Sequence, residues 1–592
     1  MLAVLERDNL FLVPLDSRRE WYRYHHLFRD VLRIRLFSTN SAETIASLQR
    51  RAAIWFADEG LIDEAVRHYL VVGDRETAAN LVEQHVQPAL DREDWRTLAA
   101  WLDALPGDLL HTRPRLLLAR AWVLQLGGQI TQMSPLLDVA ERLLDRGTTG
   151  LSGAEVLAVR GEIDLLRSAV LTRRGSGGEA LAWSLRGRDR IPPHHAFARD
   201  WAELTRSEAL RTAGNPRQAI ATLQEALDDE ASAPPTRSRI LFAQAMPWLG
   251  MADLCQTERC ARQVLGEVEP HRLPVTISWT QYLLGYVALE WRDLTTAGRW
   301  FERVVGSRDR AHLVALREAV FGLALTKGAQ GDWVAAYHLI DRELGFAESV
   351  PAPHYVAPIR SLRARLALNQ GDLATAAHWM NMVDLTRLQR RLLDVGSAPI
   401  TTARVLIALG SAQALQQAAR LLDEAVTTGE ARYDVPLVLR ALAVRSLVLD
   451  AQGERDAAVR VLQRALALAA PGQWLNTFVE LGEPMRQLLT RVPLDDELGG
   501  YPATLLALFA ATATASQARL TQRELDVLQL LGRRKSNKEI AQALSISVVT
   551  VKRHTVSLYE KLSVPSRRQA VARAQTLGLL AEPDAGEALI PN

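Results

Sequence analysis

Residues 520–580 read LTQRELDVLQLLGRRKSNKEIAQALSISVVTVKRHTVSLYEKLSVPSRRQAVARAQTLGLL, and this stretch decides what the C-terminal part of the chain can be. Thr521 with Glu524, Ser536 with Glu539 and Ser566 with Gln569 each have the form of a capping box, in which cap and third residue satisfy each other's backbone amides. Ser547 offers a further N-cap without the box. These caps predict helices over 522–531, 537–543, 548–562 and 567–577, with Gly578 suited to end the last. Only Leu544-Ser545-Ile546-Ser547 joins the second and third, short enough to cross them as a helix-turn-helix with Ile546 filling the corner.

The third of these helices has two faces. At 100° per residue, Val551, Thr555, Leu558 and Leu562 form one narrow stripe that faces the other helices, while Val549, Arg553 and Val556 point the opposite way with Lys552 on the flank. That outer face suits a DNA major groove. Charge agrees: residues 516–580 hold twelve Arg and Lys against four Asp and Glu, so the remaining chain carries −6 of the overall +2. Basicity that is local in this way is the footprint of phosphate binding. Every lysine except Lys327 lies here, at Lys535, Lys538, Lys552 and Lys561.

The run from Leu520 through SNKEIAQAL and TVKRH to KL and RRQAVARA resembles the LuxR-type helix-turn-helix domain of bacterial transcription regulators. The resemblance implies that helix 548–562 reads the major groove, with Lys552, Arg553 and Val556 at base-facing positions. Lys538, Thr550 and His554 would approach the DNA backbone, and the last helix would pair with a second copy. Paired copies of such a module set their recognition helices about 34 Å apart, one turn of DNA. One departure stands in the turn after the first helix, Gly532-Arg533-Arg534-Lys535: the family's usual glycine position holds Arg534, with Gly532 two positions early.

At 592 residues, 48% hydrophobic and 23% charged, the chain has the composition of an ordinary globular protein with room for several cores. Neither a signal peptide nor a run of about 18 apolar residues is present, so a cytoplasmic protein is expected, away from membranes. Cys255 and Cys260, five apart on a predicted helix, point away from each other and make neither a disulfide nor a metal site.

Near the N-terminus, Asn9 to Leu15 and Trp21 to His26 predict a β-hairpin flanked by helices, too small to bury itself. It resembles the end of the winged-helix domain that, in MalT-like regulators, links a nucleotide-binding module to a helical superhelix, and that module is expected to be lacking here. The pair His25-His26 fits a hairpin edge better than a metal site. The phrases EGLIDEAVRHYLVVGD, WLDALP and RPRLLLARAWVLQLGG resemble the start of the MalT-like superhelix, and Trp95, Leu98, Trp101 and Leu102 form one apolar face.

Beyond residue 200 a weak repeat keeps a steady period. An alanine near the start of an amphipathic helix recurs at Ala219, Ala261, Ala297, Ala336, Ala376, Ala418 and Ala458, in steps of 42, 36, 39, 40, 42 and 40. Gly214, Gly331, Gly371 and Gly453 precede four of these by five residues, as a left-handed residue between helices would. Paired helices with small contact residues stack into a tetratricopeptide-like solenoid, here with units longer than the usual ~34 residues. Gly175-Ser176-Gly177-Gly178-Glu179-Ala180 has the spacing of a dinucleotide fingerprint, yet it follows a helical LRSAVLTRR where a strand is required, and fits an inter-helix loop. Trp279, Trp291, Trp300, Trp333 and Trp379 could line a sugar-like site, but aromatic residues at repeat positions are more often core.

The expected fold is all-α: a winged-helix remnant with a β-hairpin (1–40), a helical repeat solenoid (41–492), a terminal helix at 501–509 with its linker at 510–519 (together assigned to 493–515 ahead of the DNA domain), a four-helix LuxR-type domain (516–581) and a disordered tail (582–592). The expected function is sequence-specific transcription regulation. The solenoid would receive a small-molecule or protein effector, and the C-terminal domain would bind double-stranded DNA and self-associate. RNA polymerase is a further candidate partner. The alternative is an interaction scaffold with a basic C-terminal module. With no GxxxxGK[ST], HExxH or GxSxG motif, neither catalysis, a cofactor, a metal nor ATP binding is expected.

Overall fold

The computed structural model describes residues 12–14, 22–147, 150–228, 233–267, 273–349, 356–383, 397–493, 498–517, 520–562 and 564–580. Leu10 and Trp21 of the expected hairpin, and the tail expected at 582–592, lie outside them. Two compact units divide the chain: one holds residues 1–90, 95–123 and 136–150, the other 91–94, 124–135 and 151–592.

In the first unit, strands Leu12–Pro14 and Tyr22–Tyr24 pair antiparallel, with Leu12 opposite Tyr24. The following helix His26–Thr39 buries none of its residues, and Leu27, Val31, Ile34 and Phe37 are exposed along it. Helices Ala42–Asp58 and Ile62–Val71 form the first antiparallel pair, separated by Gly60 at φ +74°. The face predicted on Trp95–Ala104 is inside: Trp95, Leu98, Trp101 and Leu102 are buried, and the Trp101 indole donates to Asp63.

The second unit is a stack of helix pairs, beginning with Gly153–Arg174 and Gly177–Arg190. Gly175 ends the first of these in a left-handed conformation, φ +87°, so the glycine cluster is an inter-helix turn at Gly175-Ser176 followed by the start of the next helix at Gly177. In the pair Pro274–Glu290 and Leu294–Gly306 the first helix is enclosed on nearly all sides and the second is amphipathic. The seven periodic alanines all lie on second helices and are at most 1% exposed. Helices this close leave no space for a larger side chain. Gly214, Gly331, Gly371 and Gly453 all have positive φ, and Arg292 takes the same conformation, φ +65°, five residues before Ala297.

After Ala469 the chain leaves the repeat pattern and runs across the earlier pairs. Trp474 and Phe478 are fully buried, and the Trp474 indole donates to the Ala252 carbonyl at 2.7 Å. Leu475 N donates to the Glu290 carbonyl at 2.9 Å, and the Glu290 carboxylate accepts from Arg440 and from Thr477. Glu480 is the polar centre of this segment. It accepts from Arg365 Nε at 2.6 Å, Asn369 Nδ2 at 2.8 Å and Arg404 Nη1 at 2.8 Å, residues contributed by two successive pairs. Burial pushes its pKa up, but the two guanidiniums outweigh burial and hold the carboxyl well below its usual range. The next helix, Tyr501–Gln517, runs past the boundary expected at Phe509 into the segment expected to be a linker, because Ala510 to Gln517 contains neither glycine nor proline to stop it.

Replacing Glu480 with Gln keeps the volume and leaves Arg365 and Arg404 buried without their counter-charge, so Glu480→Gln destabilises the solenoid by about 3–5 kcal/mol. Calorimetric unfolding at neutral pH reads this as a lowered transition. Because the folded-state pKa is depressed, the wild-type advantage is full above the ordinary carboxylate range and shrinks as pH falls through it.

Candidate nucleic-acid interface

Helices Gln522–Gly532, Asn537–Ala543, Val548–Leu562 and Arg567–Thr576 form the C-terminal domain around Val527, Leu531, Ile540, Val551, Leu558 and Ala570. Thr521 with Glu524 and Ser536 with Glu539 are reciprocal capping boxes. Ser566 accepts from Gln569 N as an N-cap, and Ser547 from Thr550 N. Ile546 packs half-buried against the domain core in the turn between the crossed helices. Arg534 has φ +58°, the left-handed conformation that a glycine would supply at that position.

The predicted stripe and no other residue of Val548–Leu562 is buried: Val551, Thr555, Leu558 and Leu562. On the opposite side Val549 is 76% and Val556 56% exposed, with Lys552 and Arg553 exposed beside them. Thr550 and His554 are half-buried at its edges, and Lys538 is exposed on Asn537–Ala543. The Thr550 hydroxyl lies 2.8 Å from Ser547 Oγ, so it belongs to the cap as well as to the surface.

The domain's cations fall into two groups. Arg523 donates to the Leu544 carbonyl, Lys535 to Glu539 at 3.1 Å, Lys561 to Glu524 at 2.6 Å, and Arg567 to the Lys535 carbonyl at 2.6 Å. These hold helices together. The side chains of Lys538, Lys552 and Arg553 make no hydrogen bond or ion pair among the described residues, and neither do those of Arg533, Arg534 and Arg568. Uncommitted cations beside exposed apolar side chains can follow a phosphate backbone and a base edge. Sequence patterning missed Arg533 and Arg568, whose only signal is membership of Arg-Arg pairs.

Glu524 is the internal fastener of the domain. Besides the Thr521 amide it accepts from Ser557 Oγ at 2.6 Å and Lys561 Nζ at 2.6 Å, both on Val548–Leu562, and so fixes that helix to the first. Burial raises its pKa, but the bonds from Lys561, Ser557 and Thr521 outweigh this and bring it to about 2.

The last helix rests on the solenoid. Arg573 Nη1 donates to the Asn369 carbonyl at 2.5 Å, and its guanidinium lies 5.1 Å from the centre of the Trp333 ring. Backbone approach is close here, since a Cβ on Gly371 would lie 3.1 Å from Arg573 N. Desolvation and then Arg292 pull the Arg573 pKa down to about 10. A cavity of about 810 Å³ lies alongside, lined by Trp333, Asn369, Glu480, Glu483, Arg573 and Thr576 among others. Of the tryptophans considered as a common site, Trp333 lies here, Trp279 lines a different cavity, and the Trp291 indole donates to the Gly472 carbonyl.

This fold and this surface define a LuxR-type helix-turn-helix domain joined to a tetratricopeptide-like solenoid. Residues 518–574 match the luxR family of bacterial regulatory proteins, residues 161–494 the MalT-like TPR region, and residues 1–44 the MalT winged helix domain. The chain belongs to the MalT-like family. It is 25% identical to the HTH-type transcriptional regulator MalT of Klebsiella pneumoniae over 97% of its own length and 66% of that protein, and equally to MalT of Cronobacter sakazakii. The chain thus spans just under two thirds of these curated relatives. Among solved structures, a signal transduction ATPase with a tetratricopeptide repeat sensor from Pyrococcus horikoshii gives a TM-score of 0.37 at 13% identity, covering 65% of this chain and 58% of that one.

Glu524→Gln removes the charge that holds Lys561 and Ser557, so it destabilises the C-terminal domain by about 2 kcal/mol at neutral pH. The folded pKa of about 2 lies below the ordinary 4.5, so the difference from wild type is complete above about 4.5 and shrinks as pH falls towards 2. Calorimetry at pH values spanning that window measures it.

Proposed function

We propose that the chain regulates transcription by sequence-specific binding of promoter DNA, with Lys552, Arg553 and Val556 meeting base edges and Lys538, Thr550 and His554 meeting the backbone. The observation that carries this assignment is the exposed, unpaired state of Lys538, Lys552 and Arg553 while neighbouring cations are consumed internally. The division at 40, 492, 515 and 581 serves as the working domain plan. The protein acts in the cytoplasm without a catalytic step, and recruits or blocks RNA polymerase according to an effector held by the solenoid. Among the described residues no helix is long and apolar enough to cross a membrane.

The last helix gives this regulation a lever. If it pairs with a second copy, as the family resemblance implies, it must first leave Asn369 and Trp333. The docked state is poised for release, because Arg573 is desolvated beside a second cation, Arg292, and borders a large cavity.

Fluorescence anisotropy with labelled duplexes over a salt series tests the assignment. Affinity falls steeply with salt while a preference among sequences persists. Lys552→Ala or Arg553→Ala costs about 1–3 kcal/mol and flattens discrimination at one base position, whereas Lys538→Ala weakens all sequences alike. Salt-sensitive binding without sequence preference would instead indicate a charge-driven scaffold. For the lever, Arg573→Ala frees the last helix and raises the self-association constant of the full chain by about fivefold to tenfold, read by sedimentation velocity.

A further inference from the structure

The solenoid holds a second cavity, of about 230 Å³ and partly open to solvent, between helices Gly153–Arg174, Ala196–Thr212, Pro234–Gly250 and Pro274–Glu290 on one side and the turn at 432–434 on the other. That turn closes on the earlier helices: Arg211 Nη1 donates to the Arg432 carbonyl at 2.9 Å, and the Tyr433 ring fills the space a Cβ on Gly214 would take. The cavity therefore sits where distant repeats meet, so that its contents can alter how they meet.

Most of the polar wall is already satisfied from within. Glu93 and Asp200 are paired with Arg239, Glu208 with Arg211, and Asp434 accepts from Leu437 N. Thr276 donates to Glu93, and Thr212 to the Glu208 carbonyl. Two groups are left over. Arg173 makes no hydrogen bond or ion pair among the described residues; its nearest carboxylate influence is Glu208, which Arg211 already holds. Its side chain borders the cavity on the solvent-exposed side. Gln125 is 9% exposed, and its side-chain oxygen has no hydrogen-bond partner. Buried polar groups without partners are uncommon, and here one lines a cavity beside an unneutralised cation.

The remaining wall is apolar, with Trp201, Leu204, Phe242, Met246 and Trp279. A cavity of about 150 Å³ holds benzene, so this one admits a single ring with a short substituent. It is too small for an oligosaccharide, and its carboxylates are not free to accept sugar hydroxyls.

We propose that this cavity is the effector site, and that its ligand is a small hydroxylated aromatic carboxylate: the carboxylate on Arg173, the hydroxyl on the Gln125 amide, the ring among Trp201, Phe242 and Trp279. The proposal rests on the reading of the solenoid as a receiver, and it names the ligand class.

Binding of para-hydroxyphenylacetate, its neutral amide, phenylacetate and sucrose to the full chain, followed by tryptophan fluorescence and calorimetry, tests it. The acid binds about tenfold or more tightly than the amide. Arg173→Gln removes that preference with the circular dichroism spectrum unchanged. Gln125→Leu weakens the hydroxylated acid severalfold while sparing phenylacetate, giving a second variant should the first fail to fold. Equal binding of acid and amide, tighter binding of sucrose, a preference that survives Arg173→Gln, or no binding by any probe each overturns the proposal. DNA anisotropy run in parallel separates it from the regulatory reading: ligand binding without DNA binding would overturn that reading and uphold the site, while DNA binding with no response to these probes would overturn the site alone.

Discussion

A carboxylate in the wrong place for a protein interior holds the large unit together. Glu480 is surrounded by Arg365, Asn369 and Arg404, side chains that reach it from two neighbouring helix pairs, while Glu290 takes Arg440 and Thr477 a short distance along the same segment. A stack of helix pairs needs only nearest-neighbour contacts to stand. The segment after Ala469 adds contacts of another kind, because it touches residues from Ala252 to Arg440 and turns a string of rungs into one body. Ion pairs in such a setting contribute little net stability over apolar packing, but they tolerate almost no alternative arrangement. They fix where the segment lies, and with it the helix Tyr501–Gln517 that leads to the DNA-binding domain.

The same economy of charge recurs at three scales. In the C-terminal domain Lys561 and Arg567 are spent on internal bonds, and Lys538, Lys552 and Arg553 are left to the surface. In the small cavity Arg211 and Arg239 are spent, and Arg173 is left over. At the docked helix Arg573 lies half-buried against a carbonyl and a ring without a carboxylate. Arginine suits each role because its charge survives burial and its planar fork can divide between carbonyl, carboxylate and aromatic partners. The chain's near-exclusive use of arginine outside the DNA-binding domain fits an interior crossed by such contacts.

What was legible beforehand was whatever local geometry writes at short spacing. The caps at Thr521, Ser536 and Ser547 place helices to within a residue, and the buried stripe of Val548–Leu562 follows from a 3.6-residue period. The alanine period and its glycines mark the helix pairs because close approach and positive φ each admit few residue types. Glu524 was legible as half of a capping box, but not its bonds to the third helix, and neither Glu480 nor Arg573 stood out. Their partners are between 33 and more than 200 residues away, as Ser557 is from Glu524 and Asn369 from Arg573. The helix boundary at Gln517 was missed for a different reason: small polar residues read as a tether, although nothing among them ends a helix.

Whether the exposed face of Val548–Leu562 reads base sequence is measured directly by selection of duplexes from a randomised library by the full chain, at about 0.15 M salt where non-specific binding is weak. The expected result is enrichment of one short motif, repeated at a spacing of one helical turn, and loss of part of that motif with Arg553→Ala. Recovery of bound DNA no different in sequence from the starting library would contradict it.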